Sequence, residues 1–316
     1  MRLMRSTSTR GAVVLAAALL NGVTAAQEDK GNQIMARTRN ALGGDDKLAA
    51  VKALSLRATY QREFSMPGMA GGGRATVMLN GAPASGGNQQ ITGDIEVDVE
   101  LPGKYIKVDT STGFMAMTRR EGFDGERPFA HAASANPGMR IQIDGPADDP
   151  ARARLALQRN QAELARLLLG LLGTPQSSLP VTYTYAGVAE AADGKADMID
   201  VKGPDNFALR LFVDVQTHLP LMLTYMAPEP RIVMNTVDRG SAGGDRERAE
   251  SERRQAESTP QKLVEYRLFF SDYRNVGSLS LPHRIARGTA AKTTEEWEVK
   301  SYRINPSFKA DRFTVS

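Results

Sequence analysis

The chain has 316 residues, no cysteine, and 40 Lys and Arg against 36 Asp and Glu, which gives a formal net charge of +4 at pH 7. The lack of cysteine excludes disulfides, a thiol nucleophile and the acylated cysteine of a lipoprotein signal. Three positive charges fall at Arg2, Arg5 and Arg10, so the rest of the chain carries only +4 − 3 = +1. No basic run interleaved with aromatic residues favours nucleic-acid binding.

The amino-terminal segment has the pattern of a secretory signal peptide. A basic start is followed by the apolar run Gly11–Leu20 and by the small residues Ala25 and Ala26. The run is about half the length that a membrane-spanning helix needs. We therefore expect residues 1–26 to be a cleaved signal peptide, and residues 27–316 to form a single exported domain without a lipid anchor.

Two short helices are predicted next. Residues Gln33–Leu42 have helical periodicity, and the glycine pair that follows is typical of a helix end. A second helix is predicted over Lys47–Lys52, with Asp45 or Asp46 as its amino-terminal cap.

From Leu54 onward, apolar and polar residues alternate as in half-buried strands. The clearest strand is Ile95–Leu101, whose apolar residues would face a dry side while Glu96, Asp98 and Glu100 face water. Such a strand is typical of an antiparallel sheet. The glycine-rich segments 67–73 and 81–88 are predicted to be hairpin loops and lack the pattern of a phosphate-binding loop.

One long helix is predicted from Pro150 to about Leu172, capped by Asp148 or Asp149. Its carboxyl-terminal end is almost entirely apolar and must be covered by protein or ligand.

Short strands with a turn about every ten residues then predict a meander. Two of its turns are followed by Leu-Pro, at Leu219–Pro220 and Leu281–Pro282. Because proline has no backbone donor, it favours the start of a strand, so each pair is expected to begin the second arm of a hairpin. A further strand is predicted at 231–237. Residues 238–260 lack strong hydrophobic residues and are predicted to be a disordered, charged insertion.

The sequence contains no recognisable catalytic or metal-binding motif. Its three histidines, His131, His218 and His283, are too far apart for a local metal motif, and no nucleophile elbow occurs. We expect no cofactor, no metal and no enzymatic activity. A hydrolase whose carboxylates meet only in the fold is the less favoured alternative.

Several stretches together resemble the outer-membrane lipoprotein-sorting family and the related periplasmic lipoprotein-carrier superfamily. They are ARTRNALGGDDKLAAVKALSLRATY (36–60), ELPGKYIKV (100–108), GFDGERPF (122–129), LRLFVDVQTHLPLMLTY (209–225) and FFSDYRNVGSLSLPHRI (269–285). The resemblance implies a β-rich α+β fold, an antiparallel open half-barrel sheet with covering helices, which carries acyl chains. The long helix and the 238–260 insertion depart from a plain carrier, and none of the family's lid residues can be assigned here.

We therefore expect a monomeric periplasmic carrier of an apolar, acylated ligand, either a lipid or a lipoprotein, with a role in outer-membrane biogenesis. The alternative is a non-catalytic envelope sensor or scaffold on the same fold that contacts an envelope protein. The apolar alternation and the leucine-rich helix end predict the ligand-lining residues, which are Ile95, Val97, Val99, Leu101, Leu209, Leu211, Val213, Leu167, Leu168 and Leu171.

Overall fold

The computed structural model describes residues 24–64, 78–79, 82–83, 89–112, 116–134, 150–175, 179–192, 194–229, 262–290 and 292–314. The helices are α1 (Ala25–Leu42), α2 (Asp45–Ala49) and α3 (Pro150–Leu172). The strands are β1 (Ala53–Phe64), β2 (Met78–Leu79), β3 (Ala82–Pro83), β4 (Gln89–Glu100), β5 (Lys104–Ser111), β6 (Met117–Asp124), β7 (Arg127–Ser134), β8 (Thr182–Ala191), β9 (Gly194–Lys202), β10 (Ala208–Asp214), β11 (Pro220–Pro228), β12 (Leu263–Val276), β13 (Leu279–Thr289) and β14 (Thr293–Ile304).

Twelve of these strands form one antiparallel sheet that does not close into a barrel. The order across the sheet is β7-β6-β5-β4-β1-β14-β13-β12-β11-β10-β9-β8, so the first long strand pairs with the last in the middle. Helices α1 and α3 pack against the sheet, α1 mainly on β8 and α3 on β6, β7 and β11. The predicted fold class, an open antiparallel half-barrel with covering helices, is confirmed.

Helix α1 begins earlier than the sequence predicted. The Thr24 side chain accepts a hydrogen bond from the Gln27 backbone, and the Gln27 side chain accepts one from the Thr24 backbone, which completes a capping box. Gly43, at φ 140°, ends the helix as predicted. Of the segment predicted as signal peptide, only residues 24–26 are described, and they form the cap and the start of α1.

The prediction for helix α2 was wrong in its bounds and in its cap. The helix spans Asp45–Ala49, and its N-cap is Gly44, without a side-chain hydrogen bond. The Asp45 carboxylate instead accepts from the Arg39 guanidinium at 2.5 Å, because Arg39 lies in the last turn of the preceding helix.

Both prolines lie in the second arm of a hairpin, but only Pro220 begins its strand as predicted. Pro220 is the first residue of β11 and follows the turn after β10. Pro282 is the fourth residue of β13 rather than near its start. Pro282 is paired with Tyr273 of β12, whereas the pairing of β13 with β14 begins only at Arg284. The proline, which has no backbone donor, is therefore tolerated because one of its sides needs no strand partner.

One face of β4 was predicted to be solvated, and the structure corrects this for Asp98. Its side chain is 1% exposed because the carboxyl-terminal segment folds back over it. Arg57 binds it at 2.7 Å and Arg312 at 2.6 Å. The same segment places Phe313 against Ile106 and Val108 and forms a small second core on this side of the sheet.

Several predictions concern residues outside the described ranges. They are the glycine-rich segment 67–73, most of 81–88, the cap at Asp148 or Asp149, the strand at 231–237 and the insertion at 238–260. Helix α3 itself starts at Pro150 and ends at Leu172, as predicted.

Candidate functional site

The candidate site is the sheet face that the helices cover, which we call the inner face. It carries Leu54 and Leu56 of β1 and, opposite them, Val99 and Val97 of β4. All four are almost completely buried. The register continues this face across β5 and β14, so a single apolar surface crosses the middle of the sheet.

The structure brings the predicted ligand-lining residues together in one hydrophobic core. Nine of the ten are buried, and Leu101 is partly buried against them. The leucine-rich end of α3 supplies its cover, since Leu164, Leu168 and Leu171 are 0% exposed. The predicted grouping is therefore seen, whereas ligand binding by these residues remains a prediction.

Among the described residues, the cavity found between α3 and the inner face is small. A cavity lined by Tyr105, Leu167, Leu268, Ile285 and Trp297, together with Glu163 and Arg287, has a volume of about 10 Å³. That is room for one water molecule at most. An acyl chain could enter this region only if α3 or its side chains moved.

The first half of α3 is held to the inner face by charges. Glu163 accepts hydrogen bonds from Lys107 of β5 at 2.8 Å and from Arg287 of β13 at 3.0 Å. Asn160, one turn earlier, is buried and donates to the Gly122 carbonyl at 3.1 Å. These contacts fix the helix over strands that are far apart in the sequence.

Strand register places further charges around Glu163. Lys107 lies opposite Glu121 of β6, and the two form an ion pair at 2.9 Å. Arg119, on the same strand as Glu121, pairs with it at 2.5 Å.

A second set of charges lies beside these on β1, β5 and β14. Arg62 binds Asp109 at 2.6 Å and Glu295 at 2.5 Å, and the Trp297 indole donates to Glu295. Both sets together form what we call the charged cluster, which contains four acids and four bases. Its members are Arg62, Lys107, Asp109, Arg119, Glu121, Glu163, Arg287 and Glu295.

The cluster lowers the pKa of Glu163, Glu121 and Glu295. Burial alone would raise the pKa of Glu163, but the charges of Lys107 and Arg287 outweigh burial and hold this pKa well below its ordinary value. The pKa of Glu121 is lowered in the same way by Lys107 and Arg119, against the opposing effect of burial. Each carboxylate thus faces a cation, an arrangement that positions a helix rather than one that prepares a catalytic base.

The charged cluster was not predicted from the sequence, although the two-residue alternation of the strands places its charged residues on the inner face. In β1 the inner face reads Leu54, Leu56, Ala58, Tyr60 and then Arg62. In β5, Lys107 and Asp109 follow the buried Tyr105 at the same two-residue spacing. A charged residue at a core-facing position indicates a buried ion pair, because an isolated charge there would be costly.

The histidines do not form a site in the described residues. His131 is exposed on β7, and His218 lies in the β10–β11 turn at φ 57°. His283 Nδ1 lies 3.1 Å from the Leu281 carbonyl oxygen. Over the described ranges no group of three His, Cys, Asp or Glu residues could hold a metal ion. None of the helices described there is long and apolar enough to cross a bilayer.

The fold is similar to those of solved structures of the lipoprotein-sorting kind. One is a LolA-superfamily protein from Nitrosomonas europaea, with a TM-score of 0.45 and 8% identity over 90% of this chain and 97% of that one. Another is an outer-membrane lipoprotein-sorting protein domain from Vibrio parahaemolyticus, with a TM-score of 0.43 and 7% identity over 90% and 97%.

No protein-family model and no curated protein matches the sequence. The assignment of the fold therefore rests on the open twelve-stranded sheet itself.

Proposed function

We propose that the protein is an exported, non-catalytic binding protein that holds the acyl chain of a lipid or lipoprotein between α3 and the inner face. One observation carries the proposal. A single apolar face of an open sheet is covered by one long helix, and the second half of that helix contacts it through leucines. Burial of apolar surface contributes about 0.8 kcal/mol per CH₂ group, so an acyl chain could bind there without any catalytic group.

The proposal requires α3 to move away from the sheet when a ligand enters. The movement is necessary because the cavity between α3 and the inner face has a volume of only about 10 Å³, which is too small for an acyl chain. For this movement, α3 would have to break the contacts of Glu163 with β5 and β13 and that of Asn160 with β6.

The filled core also favours a second function, an interaction module in the envelope. Such a module would keep α3 in place and contact a protein partner with its surface. The two functions differ in whether the protein takes up an apolar ligand.

The test begins with native mass spectrometry of the protein purified from the periplasm, followed by lipid extraction. A carrier should co-purify with an acylated species at a stoichiometric level. A ligand-free mass, with no uptake of added fatty acid, would contradict the carrier and leave the interaction module.

A matched pair of variants then tests the movement of α3. Glu163→Gln weakens the charged contacts of the helix and should speed the uptake of a fluorescent fatty acid several-fold. Glu190→Gln breaks an exposed pair with Lys195, in which both side chains are more than 60% exposed, and should leave uptake unchanged. Equal rates in both variants would show that ligand entry does not depend on release of α3.

A further inference from the structure

Arg166 lies on the side of α3 that faces β11, one turn after Glu163. Its guanidinium carbon is 3.9 Å from the centre of the Tyr225 ring and 5.7 Å from that of Phe207. Tyr225 in turn stacks on Tyr266, with ring centres 5.6 Å apart. The guanidinium therefore lies against an aromatic surface at the margin between α3 and the sheet.

Arg166 has no carboxylate partner among the residues that the structure describes. Its Nε atom is buried without a hydrogen-bond partner. The nearby Glu163 is already bound by Lys107 and Arg287, and the charged cluster is neutral without Arg166. Arg166 is thus a surplus positive charge beside a balanced group.

This position is unfavourable for a cation in the absence of a ligand. Burial lowers the pKa of Arg166, and the positive charge of Arg287 adds to that effect, while Glu163 and Tyr225 oppose it. The aromatic surface compensates only part of the lost hydration, because the guanidinium normally has five donors to satisfy. Residues that cost stability in this way are often kept for binding.

We infer that Arg166 binds the anionic group, a carboxylate or a phosphate, of an amphiphilic ligand whose chain lies under α3. This inference rests on the proposed function. Tyr225 lies against the guanidinium, and its Nε–H is buried without a partner. The planar N–H fork of a guanidinium matches the paired oxygens of a carboxylate or phosphate. Arg166 is half-buried, so the bound group would sit at the rim, in contact with water, while the chain reaches the apolar core.

The experiment compares two ligands with the same chain, oleate and the neutral monooleoylglycerol, in equilibrium binding to the full chain. Arg166→Met should weaken oleate binding about tenfold or more, the value of a charge-assisted hydrogen bond, and leave monooleoylglycerol within about twofold. Arg166→Lys keeps the charge without the planar fork and should lose part of the affinity. The matched control is Arg159→Met, an exposed arginine on the same helix, which should bind both ligands like the unaltered protein.

Thermal unfolding gives a second readout. Because Arg166→Met removes a surplus charge, the ligand-free variant should unfold at a temperature at or above that of the unaltered protein. If Arg166 only stabilised the fold, Arg166→Met would instead unfold at a lower temperature than the unaltered protein. If Arg166→Met does not fold, Arg166→Lys carries the test, and unchanged oleate binding by Arg166→Lys would overturn the inference.

The outcomes separate this inference from the proposed function. Uptake of both ligands, with Arg166→Met changing neither or weakening both equally, would overturn the role of Arg166 and leave the carrier intact. Uptake of neither ligand would contradict the proposed carrier function. The inference is then tested by adding inorganic phosphate and measuring the unfolding temperature. If phosphate stabilises the unaltered protein but not Arg166→Met, Arg166 binds a free anion. If phosphate stabilises neither protein, the inference that Arg166 binds an anion is overturned.

Discussion

The two halves of helix α3 contact the same sheet by different means. The first half meets β5, β6 and β13 through Asn160 and Glu163, whose hydrogen bonds each have a defined direction. The second half, from Leu164 to Leu172, is buried except for Arg166, which is its one polar side chain. Within it, Gly170 faces the ring of Phe270 so closely that an added Cβ would lie 1.9 Å from its Cζ atom.

The difference indicates a division between position and stability. Apolar contacts stabilise α3 but would allow it to slide along the inner face, because they have little directional preference. The charged contacts add little net stability, since desolvation offsets most of their attraction, but they are satisfied in only one position. We therefore expect the polar half to set the register of the helix and the apolar half to supply most of its binding energy.

The largest effect is expected when the polar half loses its central group. Glu163→Ala leaves Lys107 and Arg287 without their shared partner and should lower the free energy of unfolding by about 2 to 4 kcal/mol. The lower end of that range applies if water compensates, since the Glu163 side chain retains 23% exposure. Urea denaturation measures the loss.

Glu190→Ala serves as the control, because its ion pair with Lys195 is exposed and should contribute no more than about 1 kcal/mol. Equal losses in the two variants would mean that the charged contacts do not hold α3.

A smaller effect is expected from the apolar half. Gly170→Ala would raise helix propensity, which by itself stabilises by about 1 kcal/mol. The close approach to Phe270 should reverse the sign, because overpacking a core costs about 1 to 3 kcal/mol. Gly103→Ala is the control, since its Cβ would meet nothing nearer than 3.9 Å. An unfolding temperature above that of the unaltered protein would show that the helix can shift to make room.

The smallest effect is expected from pH. The pKa values of Glu163, Glu121 and Glu295 are all lowered in the folded protein from the ordinary 4.5, because burial is outweighed by nearby cations. Their stabilisation is therefore fully present above about pH 4.5 and is lost as the pH falls through the lowered values. The loss should be largest for Glu163, whose pKa lies well below its ordinary value.

Glu163→Gln should lose less stability than the unaltered protein between pH 5 and pH 3, roughly the range in which carboxylates titrate. Parallel pH profiles of unfolding free energy would contradict the lowered pKa of Glu163.

Local patterns were enough to predict most of the elements. The alternation of Ile95, Val97 and Val99 identified an inward-facing strand, and proline with helical periodicity identified α3 from Pro150 to Leu172. These signals succeed because each depends on residues only a few positions apart.

Features that depend on distant residues were missed. Asp98 was expected to face water because nothing near it in the sequence indicates that Arg312, 214 positions later, would cover it. Arg166 was not singled out because a charged residue on a helix is usually solvated, and only the fold shows that its neighbours are Tyr225 and Phe207. The acid-base pairing of Glu163 likewise needed the relative positions of three elements.

The pairing of β1 with β14 also determines when the sheet can be completed. Arg62 and Glu295 face each other across that pair although they lie 233 positions apart. Hairpins such as β4–β5 and β8–β9 need only local chain and can form while synthesis continues, whereas the middle of the sheet needs both of its distant strands. In a chain made from its amino end, β1 therefore has one unpaired edge until β14 emerges, and during that interval it can pair with other chains.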